Sequence, residues 1–283
     1  MEISPVIKWA GGKRQLLPII VPMMPENYGT YYEPFFGGGA LYCEIKPKKA
    51  IINDFNKQLI IMYKQIKRNP DAVCEELQKL QDEYNSRDEM KDKDELYYKY
   101  REEFNKNIVS KSNTPECAAL LIFLNKAGFN GLFRVNASGL YNVPPAHRKI
   151  INAYDADNIK TMSKILKKTS INCGDFEKVC KNAVNGDFVF FDSPYYDTFD
   201  TYQAGGFSED DHVRLFKLYK KLSDEGVYCM LTNNDCDFIK ELYKDYRILE
   251  VDVKRMINCD GNKRTGKEVI ITNYETITGR TGK

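Results

Sequence analysis

Apolar runs that alternate with amphipathic helical segments constrain the fold more than any other feature of this chain. The clearest run is Phe188–Phe191, another occupies residues 227–231, and the strand-like segment at residues 50–54 begins with three apolar residues. Uninterrupted apolar runs are typical of parallel strands, because the helices that connect such strands cover both faces of the sheet. The sequence therefore predicts an α/β fold built on a mostly parallel, Rossmann-like sheet.

The α/β pattern is interrupted between residues 59 and 154. This stretch is rich in charged helical segments, with apolar residues at helical spacing, and it includes an apolar helix at residues 115–127. At residues 129–143, two short strand-like runs flank a Gly-containing turn, which predicts a hairpin. We therefore expect a Rossmann-like domain formed by residues 1–58 and 155–283, and an inserted helical and hairpin domain formed by residues 59–154.

Basic residues concentrate in two segments, although the formal net charge is only +2. Residues 117–154 contain no Asp or Glu, and they carry Lys126, Arg134, Arg148 and Lys149. Near the C-terminus, Asp260 is surrounded by Lys254, Arg255, Lys263, Arg264 and Lys267. Acid-poor basic segments favour a localised surface for a polyanion. Chance clustering on solvated loops is the alternative.

Composition argues against metal sites and membrane spans. The eight cysteines are scattered without a CxxC pair, and neither histidine lies near a cysteine pair, so we expect reduced thiols and no metal site. No window approaches the ~18 apolar residues of a membrane span, and the N-terminus has no signal-peptide pattern. These features predict a cytoplasmic protein without a membrane partner.

A glycine cluster follows the first strand-like run and opens a helix. It reads Phe35-Phe36-Gly37-Gly38-Gly39, and Asp54 ends the next strand-like run. Glycines at such a turn let the backbone approach a ligand, and a carboxylate at the end of the next strand accepts hydrogen bonds from a ribose. A structural turn with a helix-capping Asp is the alternative. The cluster therefore indicates a nucleotide-like ligand.

The box Asp192-Ser193-Pro194-Tyr195 ends the most apolar strand. Ligands of parallel sheets bind at the carboxyl ends of the strands. A carboxylate accepts hydrogen bonds, so it can hold the protons of an exocyclic amino group while the nitrogen attacks. A flat aromatic ring can stack on the base and orient it. The box therefore favours chemistry at the amino group of a base, and an ordinary strand-to-loop turn is the alternative.

A third motif, Lys8-Trp9-Ala10-Gly11-Gly12-Lys13, combines an aromatic platform with two cations. It is not a P-loop, because the spacing is too short and Arg14 follows Lys13. Taken in order, the chain resembles the Dam-type (alpha-class) N6-adenine DNA methyltransferases through this motif, the glycine cluster, Ile52-Asn53-Asp54, residues 130–136, Gly174-Asp175-Phe176 and the Asp-x-Pro-Tyr box. The family usually has Asp-Pro-Pro-Tyr, where the second residue offers its backbone carbonyl to the amino group. Ser193 retains that carbonyl, so we expect activity to survive.

The resemblance implies the methyltransferase fold, S-adenosyl-L-methionine (SAM) as cofactor, and direct methyl transfer to N6 of an adenine flipped out of double-stranded DNA. It assigns catalysis to Asp192, Ser193, Pro194 and Tyr195. It assigns the cofactor pocket to Trp9, Lys13, Phe35, Gly37, Gly39, Asp54, Asp175, Phe176 and Asp192. The inserted domain becomes the target-recognition domain, and the expected DNA contacts are Lys8, Lys126, Phe129, Asn130, Leu132, Arg134, Arg148 and Lys149.

Physical reasoning supports part of the DNA-contact set. Arg134 on an acid-free hairpin suits bidentate recognition of guanine, which is worth about 1–3 kcal/mol of discrimination. Phe129 is suited to fill the gap left by an extruded base. Lys126, Arg148 and Lys149 would hold phosphates, although Arg148 as a solvated charge and Leu132 as hairpin core are alternatives. The hairpin resembles that of GATC-recognising members, so we expect a GATC site. We also expect a monomer, with a cognate restriction endonuclease as a candidate partner.

Other functions stay open at this point. An N4-cytosine DNA methyltransferase has a similar box, and so does a glutamine methyltransferase acting on protein, although the basic hairpin disfavours a protein substrate. A catalytically silent DNA-binding homologue is favoured by Ser193 alone. A C5-cytosine mechanism is disfavoured, because it needs a nucleophilic Cys, usually after Pro, and the chain has no Pro-Cys dipeptide.

Overall fold

The computed structural model describes residues 3–196, 206–254 and 265–276. Most of the C-terminal basic segment lies outside the described residues: the side chain of Lys254, and Arg255, Lys263 and Arg264.

A seven-stranded sheet forms the centre of the fold, in the order β3-β2-β1-β4-β5-β7-β6. Strands β1 to β5 are parallel to one another, whereas β7 is antiparallel to both β5 and β6. This confirms the predicted mostly parallel α/β sheet. The strands are β1 Tyr31–Glu33, β2 Ala50–Asp54, β3 Thr169–Cys173, β4 Phe188–Phe191, β5 Tyr228–Asn234, β6 Arg247–Lys254 and β7 Thr265–Thr272.

Helices connect the strands and cover the sheet. The connections between parallel strands contain the helices, as such crossovers require. The helices are α1 Leu17–Met23, α2 Ala40–Ile45, α3 Lys57–Arg68, α4 Pro70–Asn85, α5 Met90–Ser110, α6 Pro115–Ala127, α7 Ala156–Leu166, α8 Phe176–Cys180, α9 Glu209–Asp224 and α10 Asp237–Leu242. No helix within the described ranges is long and apolar enough to cross a membrane.

The central strand β4 shows why an uninterrupted apolar run is needed. All of its residues are buried, and alternate side chains point to opposite faces of the sheet. Phe188 and Phe190 enter one hydrophobic core, and Val189 and Phe191 enter the other. The strand therefore has no face that a polar residue could occupy until it ends at Asp192.

The predicted insertion is helical, and its core is continuous with one face of the sheet. Helices α4 and α5 both pack against α6, which also contacts α3. Residues such as Leu77, Tyr97 and Phe123 belong to the same hydrophobic cluster as Phe188. The insertion is thus attached to the sheet by packed apolar side chains rather than by a loop alone.

The hairpin at residues 129–143 is less regular than predicted. Residues Phe129–Gly131 form a 3-10 turn instead of a strand, and Val135 and Tyr141 form an isolated antiparallel bridge. The backbone of Tyr141 is held by α5 instead, because Asn105 accepts from its N–H at 2.8 Å and donates to its carbonyl at 3.0 Å. These side-chain hydrogen bonds take the place of the backbone pairing that a longer strand ladder would need.

The helix that begins at Phe176 is short and ends at Cys180. The Asp187 carboxylate causes the chain to turn, because it accepts hydrogen bonds from Val184 N at 3.1 Å and from Thr30 N at 2.7 Å. These bonds bring β4 alongside β1, so residues 181–187 belong to a turn rather than to the helix.

Candidate active site

A cleft of about 1020 Å³ opens beside the glycine turn, at the carboxyl ends of β1, β2 and β4. In the sheet, β1 has β2 on one side and β4 on the other. The strand order reverses between β1 and β4, and the cleft lies at this point. Open α/β sheets bind ligands at this switch point. The three predicted motifs, from residues 8–13, 35–39 and 192–195, all line this cleft.

The glycine turn forms one wall. The Asp54 carboxylate accepts hydrogen bonds from Gly37 N at 2.8 Å and from Asn56 N at 2.8 Å. Gly37 has a φ of 49°, and a Cβ there would lie 2.8 Å from Cδ1 of Trp9. Packing against Trp9 therefore requires glycine at this position even before a ligand is considered. The turn brings Trp9, Gly37 and Asp54 together.

The second wall of the cleft is aromatic, and a cluster of charged side chains packs against it. The rings of Phe35 and Phe176 lie 5.2 Å apart, and the Arg214 guanidinium lies 5.0 Å from the Phe176 ring. Arg214 donates to Asp175 at 2.8 Å and also pairs with Glu177 and Asp211. The Asp175 carboxylate additionally caps α8 by accepting from Glu177 N. Arg214 thus fixes both Asp175 and Phe176 at the cleft.

The N-terminal segment is held against the inserted helices by Asn125 of α6. This buried amide accepts from Lys8 N at 2.8 Å and donates to Lys8 O at 2.9 Å and to Gly131 O at 2.7 Å. One side chain therefore joins the first motif to the start of the hairpin, and both border the same cleft.

Asp192 forms an ion pair with buried Lys13. The Lys13 Nζ lies 2.5 Å from Asp192 Oδ1 and 2.7 Å from Gly11 O, and Lys13 is only 5% exposed. Thr232 of β5 donates a further hydrogen bond to the same carboxylate oxygen at 2.9 Å. The carboxylate is therefore held in one orientation at the end of β4.

The Tyr195 ring lies against the same cation. The Lys13 Nζ lies 4.7 Å from the ring centroid, within the range of a cation–π contact. The Tyr195 hydroxyl donates a hydrogen bond to Glu268 of β7. The carboxylate and the ring that the sequence paired are thus brought together in the cleft.

Ser193, the departure from the family's box, is buried and bonded. Its Oγ accepts a hydrogen bond at 3.3 Å from Nδ2 of Asn233, a fully buried residue of β5. The Asn233 Oδ1 accepts from Tyr196 N at 3.1 Å. Asn233 thus bonds to Ser193 within the box and to Tyr196 just after it, which restrains a loop that here lacks the ring of one proline.

Glu33 lies in the cleft wall although it is 3% exposed. Burial raises the pKa of its carboxyl well above the ordinary value, and nearby Asp192 and Asp54 raise it further. The hydrogen bond from the Tyr31 hydroxyl, at 2.8 Å, and the charge of Lys13 act in the opposite direction. Burial dominates, so Glu33 favours its neutral form in the folded protein.

Comparison with known families decides what this cleft belongs to. The model of the D12 class N6 adenine-specific DNA methyltransferases matches residues 9–257, a range that contains the glycine turn, the hairpin and the box. The chain belongs to this family. It is an adenine-specific DNA methyltransferase, and the Dam-type resemblance is confirmed.

Curated relatives match this methyltransferase over nearly their full length. Type II methyltransferase M.MjaIII of Methanocaldococcus jannaschii is 43% identical, covering 97% of this chain and 100% of the relative. Type II methyltransferase M1.LlaDCHI of Lactococcus lactis subsp. cremoris is 41% identical, covering 97% and 96%. The DNA adenine methylase of Escherichia coli strain K12 is 28% identical, covering 95% and 94%.

The residues expected to contact DNA fall into two groups. Lys8, Lys126, Asn130, Leu132 and Arg148 line the cleft. Burial lowers the pKa of Lys126, and the charges of Lys8 and Arg14 lower it further. Mutual repulsion among cations favours an anionic ligand at this rim of the methyltransferase.

The second group lies outside the cleft, on the exposed surface of the same inserted segment: Phe129, Arg134 and Lys149. Phe129 is 52% exposed. The Arg134 side chain is held by Asn142 across the hairpin, through Nε to Oδ1 at 2.8 Å and through Nη2 to the backbone carbonyl at 3.2 Å. This group therefore lies on the surface of the inserted segment and does not line the cleft.

Sequence reasoning missed several residues that contact the predicted ones: Arg14, Glu33, Arg214, Thr232, Asn233 and Glu268. Thr232 and Asn233 had a usable signal, because they are polar residues near the end of the apolar strand β5. Glu268 had none, because it reaches Tyr195 only through the antiparallel pairing of β7 with β5.

Proposed function

We propose that the chain transfers the methyl group of SAM to N6 of an adenine extruded from double-stranded DNA. The observation that carries this proposal is the meeting of Asp192 and Tyr195 in a cleft whose other wall is the glycine turn. The carboxylate and the aromatic ring suit a base, and the nucleotide-sized cavity beside them suits a nucleotide-like donor. The cleft therefore fits a reaction between the two.

The cleft fits SAM in size and in chemistry. Asp54 lines the cleft at the end of β2, and a carboxylate at that point can accept hydrogen bonds from ribose hydroxyls. Phe35 and Phe176 offer an apolar wall for the adenine ring of SAM, with Asp175 beside it. When bound, SAM supplies an electrophilic methyl group. The residues proposed to hold it are Trp9, Lys13, Phe35, Gly37, Gly39, Asp54, Asp175, Phe176 and Asp192.

Asp192 and Tyr195 act on the target base. Lys13 and Thr232 already occupy Oδ1 of Asp192, so we assign Oδ2 to the protons of the adenine amino group. When this oxygen accepts a hydrogen bond from the amino group, the lone pair of the nitrogen can leave conjugation with the ring and point at the methyl group. The Ser193 carbonyl is the second acceptor, Pro194 shapes the turn, and Tyr195 stacks on the purine. No covalent enzyme intermediate is needed.

The inserted segment is proposed to hold the DNA and to read its sequence. Because the target atom is inaccessible in a stacked duplex, the base must be flipped, and exposed Phe129 is suited to fill the gap. Arg134, aided by Asn130 and Leu132, reads bases, and Lys8 contacts a flanking base. Phosphates of the DNA are held by Lys126, Arg148 and Lys149. We propose GATC as the site and a monomer as the active form.

Two relatives carry type II methyltransferase names, and by analogy we propose that this chain is the modification half of a restriction–modification pair with a cognate endonuclease. An enzyme that methylates cellular DNA works in the cytoplasm, so the predicted location forms part of the same proposal.

The test uses purified protein, labelled SAM and double-stranded DNA, followed by nucleoside analysis. We expect N6-methyladenine as the product. N4-methylcytosine, label on protein, or no product would each refute the proposal in favour of one of the alternatives. Modified-base sequencing of the same DNA tests the site separately, and methylated fragments without GATC enrichment would overturn that part alone.

A further inference from the structure

The catalytic loop, residues 192–196, contacts two neighbouring antiparallel strands, β5 and β7. On β5, Asn233 accepts from Tyr196 N at 3.1 Å, and Asn234 donates to Tyr196 O at 2.9 Å. On β7, Glu268 lies directly opposite Asn234 in the strand register. These contacts fix the backbone that immediately follows Tyr195.

The two tyrosines of the loop have different surroundings. The Tyr196 ring stacks on Phe238 at 4.4 Å with an interplanar angle of 24°, behind the cleft. Tyr195 lines the cleft, and its hydroxyl donates to Oε2 of Glu268. A tyrosine ring turns about two side-chain bonds. A hydrogen bond from the hydroxyl fixes the ring about the first bond. It also favours the ring plane that contains the acceptor, because a phenolic O–H lies in the plane of its ring.

The partner of this hydroxyl is a carboxylate in a half-buried position. A hydroxyl bound to a carboxylate makes a stronger hydrogen bond than one bound to a neutral acceptor. Together with the Lys13 ammonium 4.7 Å from the ring centroid, the Glu268 contact holds the plane of the Tyr195 ring. The orientation of that plane decides how a stacked purine presents its amino group.

We infer that Glu268 of β7 is a positioning residue for methyl transfer, acting through the hydroxyl of Tyr195 on the ring that stacks against the target adenine. This inference rests on the proposed function. It adds a residue from outside the recognised motifs, near the far end of the chain, to the machinery of the box.

A double-mutant cycle tests the inference, because the inference gives Glu268 no route to the reaction other than Tyr195. We expect Glu268→Ala and Tyr195→Phe each to lower kcat for N6-methyladenine formation roughly tenfold, since small misplacements of reacting groups cost rates of this order. The double variant should be roughly tenfold impaired as well, not hundredfold, because the second change removes nothing further. Glu268→Gln should recover most of the loss, since its amide oxygen still accepts from the hydroxyl.

The readouts separate positioning from a general structural role. The KM for SAM should stay within about twofold of wild type, because the loss falls on the reacting geometry and not on cofactor binding. The matched control is Glu250→Ala, which removes an exposed glutamate of neighbouring β6 that pairs with Lys240 and Lys267, and it should leave kcat unchanged.

Three results would overturn the inference: full activity of Glu268→Ala, losses that multiply in the double variant, or no recovery with Glu268→Gln. Wild-type protein that forms no N6-methyladenine would instead refute the proposed function, and the inference with it. Wild-type activity with an unaffected Glu268→Ala would refute the inference alone.

Discussion

Replacing Asp192 by Ala removes the partner of a buried cation as well as the proposed contact to adenine. Lys13 is 5% exposed, and its ammonium lies 2.5 Å from the Asp192 carboxylate. In the variant the ammonium keeps only the neutral Gly11 carbonyl, at 2.7 Å, of the contacts described for it with oxygen atoms. The change should therefore reduce stability and not activity alone.

The magnitude follows from the burial of the pair. Removing one partner of a buried ion pair costs about 3–5 kcal/mol. The Asp192 side chain is 20% exposed, so water screens part of the interaction, and the loss should lie near about 3 kcal/mol. The loss in free energy of unfolding also has an upper limit, because the unpaired lysine can give up its proton instead. Neutralising an ordinary lysine side chain at pH 7 costs about 4.6 kcal/mol. Replacing both partners, in Asp192→Ala/Lys13→Met, should recover stability to within about 1 kcal/mol of wild type.

Urea unfolding followed by circular dichroism and by the fluorescence of Trp9, the only tryptophan of the chain, measures these differences. Asp192→Asn serves as the control, because its amide oxygen can still accept from Thr232 and Lys13. If Asp192→Ala unfolds at the same urea concentration as wild type, and the second change adds nothing, the ion pair does not stabilise the fold as described.

Three further predictions concern other parts of the cleft. Burial raises the pKa of Glu33, so its contribution to stability is complete below about pH 4.3 and is lost as pH rises through the raised value. Glu33→Gln should therefore gain stability relative to wild type in urea unfolding as pH rises above about 4.3, and a difference that does not change with pH would contradict this. Lys126→Ala should reduce the slope of log affinity for DNA against log salt by about 0.9, the loss of one phosphate contact, whereas exposed Lys79→Ala on α4 should not change it. Addition of SAM should change Trp9 fluorescence, and Asp54→Ala should weaken the titrated affinity at least about tenfold, because hydrogen bonds to charged groups contribute about 1.5–3 kcal/mol. Equal affinity would remove Asp54 from the cofactor site.

The strands were predictable because burial on both faces leaves a direct signature in the sequence. The run at β4 has no polar residue because Phe188 and Val189 enter different cores. The position of β7 between β5 and β6 had no such signature. The order of antiparallel strands at the edge of a sheet depends on which distant segments pair with each other. Hydrophobic patterns along the sequence do not show this pairing.

The site was predictable where its residues sit next to one another along the chain. Asp192 and Tyr195 share one turn, so a short motif contains both. The ion pair to Lys13 and the bond from Tyr195 to Glu268 join segments far apart in sequence. The irregular hairpin has the same origin, because Asn105 of α5 takes the backbone bonds of Tyr141 that a strand partner would have used.

The central claim is that the Asp192 carboxylate acts at the amino group of adenine. The most direct test compares wild type with Asp192→Asn for N6-methyladenine formed in a single turnover, on samples whose SAM binding has been matched by Trp9 fluorescence. We predict that the variant binds the cofactor, remains folded and forms no detectable methyladenine. A variant that methylates adenine at a rate close to wild type would contradict the claim.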